Sequence, residues 1–489
     1  MAVPSPSVRL DLDALRARLG GTVIDPDGAD YDTSRAVASG DDLHPAIIVR
    51  AANASDVVAT VNLARETGLE LAVRSGGHSS AGHGSTEGGI LLDVAGLKDL
   101  ELDVAGRSVW VGSGMTAGDL TAALSEHGLA VGFGDTGSVG IGGITVGGGI
   151  GFLVRKAGLT IDNLLAADVV LADGRLVRTD AEHEPDLFWA IRGGGGNFGV
   201  VTRFRFRLLE LPSIVGGMLV LPATADTVAG FIAAADAAPE DVSTIANVMP
   251  CPPLPFVAEE HHGSLVIFAQ VVHSGDPAAG DAAMAPFRAL ATPLGDVLGP
   301  MRYAEMFPPT GEAEEGPAAE PTGPASDPAG PADEQAGGGA YALRTMFLDH
   351  VDRTVAATIV DRVAEHQRSS GALMVAAQLR VLGGAMARVP ADATAFAHRS
   401  SRIMLIVATV VGSREELPSH VAWTDDLTTA LRQGDGGAYV NFLSDEGPER
   451  VRAAYPGPTW ERLRAIKGRY DPTNLFRRNQ NIEPAPAGI

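Results

Sequence analysis

Three glycine-rich strings hold most of the reactive chemistry this sequence offers. The first is Arg74-Ser75-Gly76-Gly77-His78-Ser79, directly after the apolar run Leu69 to Val73. Two adjacent glycines let backbone N–H groups approach an anion such as a pyrophosphate, and Arg74 and Ser75 add a positive charge and a hydroxyl. A single loop histidine is more often a hydrogen-bonding residue than a reactive one. The second string is Gly134-Asp135-Thr136-Gly137-Ser138-Val139-Gly140-Ile141-Gly142-Gly143, continuing to Gly147-Gly148-Gly149-Ile150-Gly151. Its glycines recur too densely for a good helix, at about 1 kcal/mol each relative to alanine. It reads as a loop wrapping a flat cofactor. A nicotinamide fingerprint would follow the first strand, open a helix and meet an acidic residue about 20 positions on, which fits poorly here. The third string is Arg192-Gly193-Gly194-Gly195-Gly196-Asn197-Phe198-Gly199-Val200-Val201-Thr202. Four consecutive glycines exceed what ending a helix requires.

The elements that hold these strings alternate between strand and helix. Ile47 to Val49 reads as a strand. Ser55-Asp56 cap a helix with Val57, Val61 and Ala64 on one face, ended by Gly68. Leu69 to Val73 is a strand entering the first string, and Ile90 to Leu92 and Val109 to Val111 are further strands. Thr116 caps a helix through Leu124 that stops at Gly128. Ala167 to Leu171 is a strand, and Glu184 to Ile191 a helix closed by Gly193. Phe204, Phe206 and Leu208 then alternate with Arg203, Arg205 and Arg207, a half-buried strand with a solvated face.

Beyond Pro212 come longer β segments, Gly216 to Leu221, Ser264 to Val272, Ala340 to Phe347, Leu373 to Val381 and Ile403 to Val411, with helices such as Val351 to His366 between them. That order suggests an antiparallel sheet with helices on one side. Pro308 to Gly339 is nearly all Pro, Gly, Ala, Glu, Asp, Thr and Ser, and predicts a disordered loop. Thr459 caps a last helix carrying Trp460, Leu463, Ile466 and Tyr470 on one face, ended by Asp471-Pro472.

Composition narrows the field. The 489 residues carry a net charge of -23, which repels phosphate backbones and argues against nucleic-acid binding. No apolar run reaches the roughly 18 residues of a membrane span, and Met1 to Leu10 lacks a secretory pattern, so a cytoplasmic protein is expected. One cysteine, Cys251, excludes an internal disulfide and a thiolate metal cluster, and reads as a small buried hydrophobe. Glu259-Glu260-His261-His262 reads as a polar loop, since adjacent residues rarely converge on one ion; no metal is expected.

The three strings in this order resemble the flavin-binding domain of the vanillyl-alcohol-oxidase-like, PCMH-type superfamily, and its berberine-bridge-enzyme branch in particular. Tyr31-Asp32-Thr33-Ser34-Arg35, His44-Pro45-Ala46-Ile47-Ile48 and Leu92-Asp93 match that domain too. So do Tyr439-Val440-Asn441-Phe442, Tyr470-Asp471-Pro472-Thr473-Asn474-Leu475-Phe476 and Asn479-Gln480-Asn481-Ile482-Glu483-Pro484 in the tail. The resemblance covers almost the whole chain outside the disordered insertion, and the combination is specific where no single piece is. It implies an α+β fold of two lobes. Residues 1–212, with a core of about 40–212, form the FAD-binding domain. Residues 213–430, with the insertion 308–339, form an antiparallel-sheet substrate domain, and 431–489 return to the FAD domain.

The resemblance also implies site roles. Arg74, Ser75, Gly76, Gly77 and Ser79 form the pyrophosphate loop, and His78 bonds the flavin 8α carbon, chemistry that suits a neutral imidazole. Thr136, Gly137, Val139, Gly142, Gly143, Gly147, Gly149, Ile150, Gly199 and Val201 are cofactor-binding positions, and Asn441 and Asn479 look like flavin-ring or substrate contacts. Many relatives carry a second tether, a cysteine where Thr136 stands, so FAD is expected to be held covalently through His78 only. Val139 at the oxygen-access position resembles members that react readily with O2. Hydride passes to flavin N5, a base takes a proton, and O2 reoxidises the flavin with release of H2O2. Tyr439 is the candidate base; an ordinary tyrosine titrates near 10, so positive charge must help it. Phe442 stands where many relatives have a second aromatic hydroxyl. Gln378 and Arg380 share one face of a strand and are either substrate-pocket or solvent-facing residues. The expected substrate is a small alcohol, sugar, amine or secondary metabolite. The competing readings are a redox-neutral scaffold or cyclase, and a nicotinamide-dependent dehydrogenase.

Overall fold

The computed structural model describes residues 10–307, 340–434 and 436–486. The stretch from Pro308 to Gly339, expected as a disordered loop, lies outside them. Near the N-terminus, β1 (Thr22–Ile24), β2 (Ile47–Arg50), β3 (Leu71–Arg74) and β4 (Ile90–Asp93) form a sheet in the order β1-β2-β4-β3. β2 and β3 both run parallel to β4, while β1 is antiparallel to β2. Parallel neighbours need a crossover, and α1 (Ala54–Thr67) lies between β2 and β3 in the chain. Its Val57, Val61 and Ala64 are fully buried. It stops at Gly68, whose φ of 71° suits glycine. The start falls earlier than Ser55-Asp56: Asn53 is the cap and accepts the Asp56 N–H. The Asp56 carboxylate instead accepts backbone N–H groups of Gly20 and Ala52.

A second sheet is antiparallel throughout. Its strands are β5 (Leu100–Asp103), β6 (Ser108–Gly112), β7 (Leu164–Val170), β8 (Leu176–Asp180) and β9 (Val200–Arg207), in the order β5-β6-β9-β7-β8. Phe204 and Phe206 are buried as the alternation requires. On the other face Arg205 and Arg207 are exposed, and Arg203 pairs with Asp168 at 2.6 Å. Thr116 caps α2 (Ala117–Ser125) by accepting the Asp119 N–H.

The second glycine string departs from the loop expected of it. Ile141–Gly147 forms a seven-residue helix, α3. The residues that make this helix weak in isolation also let it lie against the first string. A Cβ on Gly140 would sit 2.2 Å from the Ser75 hydroxyl, and one on Gly76 2.3 Å from the Gly140 nitrogen. Burial of Ile141 and Thr145 then outweighs the poor propensity.

Past Pro212 one large sheet forms from β10 (Ile214–Pro222), β11 (Val242–Pro250), β12 (Leu265–His273), β13 (Ala340–Leu348), β14 (Met374–Val381) and β15 (Ile403–Val411). The order is β10-β12-β11-β14-β15-β13, all antiparallel. The central strand β11 has no counterpart among the expected strands. Helices α4 (Ala225–Ala237), α5 (Arg353–Ser369) and α6 (Leu417–Ala430) pack with Val375, Ala377 and Leu379 in one core. This is the expected layer of helices on one side. α5 starts after Asp352, which caps the N–H groups of Thr354 and Val355. The alternate face of β14 carries Gln378 and Arg380.

The last helix, α7 (Pro458–Tyr470), begins after Gly457, so Thr459 lies inside its first turn and is not its cap. Leu463, Ile466 and Tyr470 are buried as expected. Lys467 is sealed from water and donates to Asp471 (2.7 Å), the Asn197 carbonyl (2.7 Å) and the Phe476 carbonyl (2.9 Å). These bonds fasten the tail to the third glycine string. Cys251 is buried, and Glu259–His261 form a short 3-10 turn. Among the described residues no helix is long and apolar enough to cross a membrane.

Candidate functional site

A cavity of about 310 Å³ opens where the three glycine strings, the large sheet and the C-terminal segment meet. The first string supplies one wall. Arg74 ends β3 with its guanidinium 2.9 Å from Asp93 and donating to the Ala36 carbonyl. The Ser75 hydroxyl donates to the Ser113 carbonyl at 2.7 Å. Gly77 turns the chain at φ 75°, a conformation open to glycine, and brings His78 onto the cavity wall, half-buried.

Of the residues singled out in the sequence, Arg74, Ser75, Gly76, Gly77, His78, Ser79, Thr136, Val139, Gly142, Gly143, Ile150, Gly199, Val201, Arg380, Tyr439, Asn441 and Asn479 line this one cavity. Gly137, Gly147, Gly149 and Gln378 do not. Gly137 accepts the Gly118 N–H. Gly147 lies against Asn441, where a Cβ would fall 1.8 Å from the amide oxygen. Gly149 donates its N–H to the Tyr439 oxygen at 2.7 Å. Gln378 stands behind Arg380 and accepts from its Nε at 2.8 Å.

Tyr439 is almost fully buried. Its oxygen also accepts from the Asn441 amide at 2.9 Å, and that amide donates again to the Ile144 carbonyl. Burial pushes the hydroxyl's pKa up to about 12, against the Gly149 and Asn441 hydrogen bonds and the Arg380 charge, which favour the phenolate. Arg380 is buried, which excludes the solvent-facing reading of both it and Gln378. It donates to Asp135 at 2.6 Å and to the Ile150 carbonyl at 3.0 Å. Its guanidinium lies 5.3 Å from the centre of the Phe442 ring.

Sequence reasoning missed several wall residues: Asp135, Ser113, His83, Tyr341, Arg478 and Gln480. A lone acid inside a glycine string was a usable signal for Asp135. Nothing in local spacing marks Tyr341 or Gln480. His83 is held neutral, its pKa pushed down to about 4 by burial and then by the nearby Arg478 charge.

The donor set fits FAD. Arg74, Arg478 and the glycine backbones offer positive charge and close N–H approach to a pyrophosphate. The buried Asn479 Oδ1 and Ser113 Oγ, both in wall residues, have no hydrogen-bond partner among the described residues, as groups that meet a bound cofactor would.

Comparison with known proteins agrees. The FAD binding domain family model matches residues 45–180, and the berberine and berberine like model matches residues 438–483. An FAD-linked oxidoreductase of Dictyostelium discoideum is 30% identical over 447 residues, spanning 90% of this chain and 89% of that protein. The (R)-6-hydroxynicotine oxidase of Paenarthrobacter nicotinovorans is 30% identical over 481 residues, spanning 95% and 97%. The crystal structure of 6-hydroxy-D-nicotine oxidase from Arthrobacter nicotinovorans superposes with a TM-score of 0.77 at 26% identity, covering 96% of this chain and 98% of that one. Physcomitrella patens BBE-like 1 shares the fold, with a TM-score of 0.81 at 21% identity over 98% of this chain and 100% of that one. An FAD-binding family model over the first two glycine strings displaces the nicotinamide reading. With this fold, these strings and this C-terminal segment, the chain belongs to the FAD-linked oxidases of the berberine-bridge-enzyme type.

Proposed function

We propose that the chain oxidises a small organic molecule with O2 as electron acceptor, using FAD attached covalently through His78 alone. The observation that carries this reading is the single cavity onto which His78, the glycine backbones, Tyr439 and Asn441 all open. Bound FAD supplies the hydride acceptor, and O2 regenerates it with release of H2O2. Gly76, Gly77 and the Gly140–Gly143 backbone hold the pyrophosphate end, with Arg74 fixed in shape by Asp93. Thr136 stands where relatives use a second cysteine. Cys251, buried among Met218, Val266 and Phe268, is not a wall residue, which supports one attachment rather than two. Tyr439 takes the substrate proton, its phenolate favoured by Gly149, Asn441 and Arg380 and opposed by burial. The names of the relatives include nicotine, chitooligosaccharide and xylooligosaccharide oxidases. Alcohols, sugars, amines and secondary metabolites therefore all belong in a substrate screen.

The test is the visible spectrum of purified protein before and after acid precipitation, for wild type and His78→Ala. Yellow colour should stay with the wild-type pellet and wash off the variant. Flavin that washes freely from wild type would overturn the His78 bond. A screen for peroxide release tests the oxidase itself; silence across all four classes would overturn that part.

A further inference from the structure

Two walls of the cavity come from distant parts of the chain. One is the stretch after β3, with Gly77 to Ser80, His83 and Gly84; the other is Tyr341 and Leu343 of β13. Tyr341 stands opposite Val410 in the register of β13 and β15. The turn that follows β15 carries Arg414. Its guanidinium lies 2.5 Å from the carboxylate of Asp41, in the loop before β2, and donates to the Ser39 carbonyl at 2.9 Å and the Gly40 carbonyl at 3.3 Å. Asp41 also accepts the Ser39 hydroxyl at 2.7 Å. This loop packs on the first glycine string. The Ala38 N–H donates to the Gly77 carbonyl, and a Cβ on Gly82 would fall 1.9 Å from the Asp41 carboxylate. Burial raises the pKa of the Tyr341 hydroxyl, with Asp41 raising it further and Arg414 opposing, so both partners act on this wall residue. One clasp thus ties the large sheet to the first string beside Tyr341.

Elsewhere buried groups join the large-sheet half of the chain to the glycine-string half. Arg155 is 5% exposed and donates to the Ala235, Ala238 and Leu382 carbonyls. Arg399 and Asp162 pair at 2.7 Å, with 3% and 8% of their side chains exposed. Parting such groups leaves a buried charge without a partner, which is strongly unfavourable. The clasp differs, since Arg414 is 49% and Asp41 26% exposed. Water can replace either partner there, so a pair of this kind adds little stability and parts readily. The two halves are therefore held firmly at Arg155 and Arg399 and loosely at Tyr341. We propose that the Arg414–Asp41 clasp is a gate: ligands enter past Tyr341 while it is open, and its closing shuts that side of the cavity. This rests on the reading that FAD and substrate share the cavity.

The experiment measures entry to the site in the whole FAD-loaded protein. Dithionite bleaches a flavin it reaches by reducing it, and stopped flow without oxygen gives the rate. Hydrogen exchange of the backbone amides at 36–43 and 340–343 reads the clasp with no ligand added. Arg414→Gln and Asp41→Asn should each speed bleaching about threefold to tenfold and quicken exchange in both stretches. Lys156→Gln breaks another charge pair between the same halves, with Asp241, and neither of those residues lines the cavity. It should leave both readings at the wild-type value. If Arg414→Gln fails to fold, Asp41→Asn decides, because it removes one charge at nearly constant shape. Unchanged bleaching in the clasp variants would overturn the gate even if exchange quickens, since the clasp would then open without admitting anything. Equal acceleration in Lys156→Gln would overturn it too, as a general loosening of the fold. A colourless protein would count instead against FAD in the cavity, and unchanged exchange in both clasp variants would still overturn the clasp.

Discussion

Tyr439 receives the Gly149 N–H at 2.7 Å and the Asn441 amide at 2.9 Å, yet its pKa is pushed up to about 12. A base must be deprotonated to act, so well below that value the active fraction grows tenfold per pH unit. If Tyr439 takes the proton, kcat/KM climbs with pH over the whole range in which the protein stays folded. Tyr439→Phe should remove that climb and cut turnover by about 10²–10⁴-fold while leaving the flavin spectrum intact. A profile already flat at neutral pH would assign the base elsewhere. Asn441→Ala, which deletes one donor to the phenolate, should push the rise to still higher pH. The sequence pointed to Tyr439 and Asn441 through their place in the tail. Asp135 stood out only as a lone acid inside the second glycine string; its pairing with Arg380, 245 positions away, is invisible to any local pattern.

Helix α3 shows why elements were read unevenly. Propensity counts the loss at each glycine, but it does not see that Gly140 and Gly76 touch backbone to backbone. Gly76→Ala should force the first string off α3, destabilise the fold by about 1–3 kcal/mol and lower the flavin content. Melting temperature and bound-flavin absorbance measure the two effects. Unchanged values would mean that the loop relaxes without disturbing the site. The strands β2, β3, β4, β6, β7 and β9 were legible because each is a compact apolar run or a clear alternation. β11 was not, since Ser243, Thr244 and Asn247 interrupt its apolar pattern, and all three are buried. Asn247 accepts the Gln378 amide, a pairing that only the assembled sheet reveals. Helix starts shifted for a local reason: Asn53, and not Ser55, holds the cap of α1.

Among the described residues, burial pushes the pKa of three histidines down: His83, His273 and His366. His83 is pushed down to about 4 by burial and by Arg478, with Asp445, Asp41 and Glu70 opposing. His366 is pushed down to about 4 by burial, then by His420 and Arg362; it stacks 4.0 Å from Trp423 and meets His420 at 3.0 Å. A folded pKa below the unfolded value of 6.5 gives stability that is full above pH 6.5 and is lost as pH falls toward about 4. The melting temperature should therefore drop across that window, and His366→Gln should flatten part of the drop. A constant melting temperature from pH 6.5 to 4 would contradict both shifts. At this scale the α+β class and the helices on one side of an antiparallel sheet were legible, because long β runs separated by helices leave few other packings. The convergence of the tail on the first string was legible only through family likeness. That convergence fixes an order of events in the life of the protein. Asn441, Asn479 and the Lys467 bonds that fasten the tail are synthesised long after His78. While the chain emerges, the cofactor's first wall exists without its last, so FAD capture and any bond to His78 belong after translation, with the finished fold closing over the ligand.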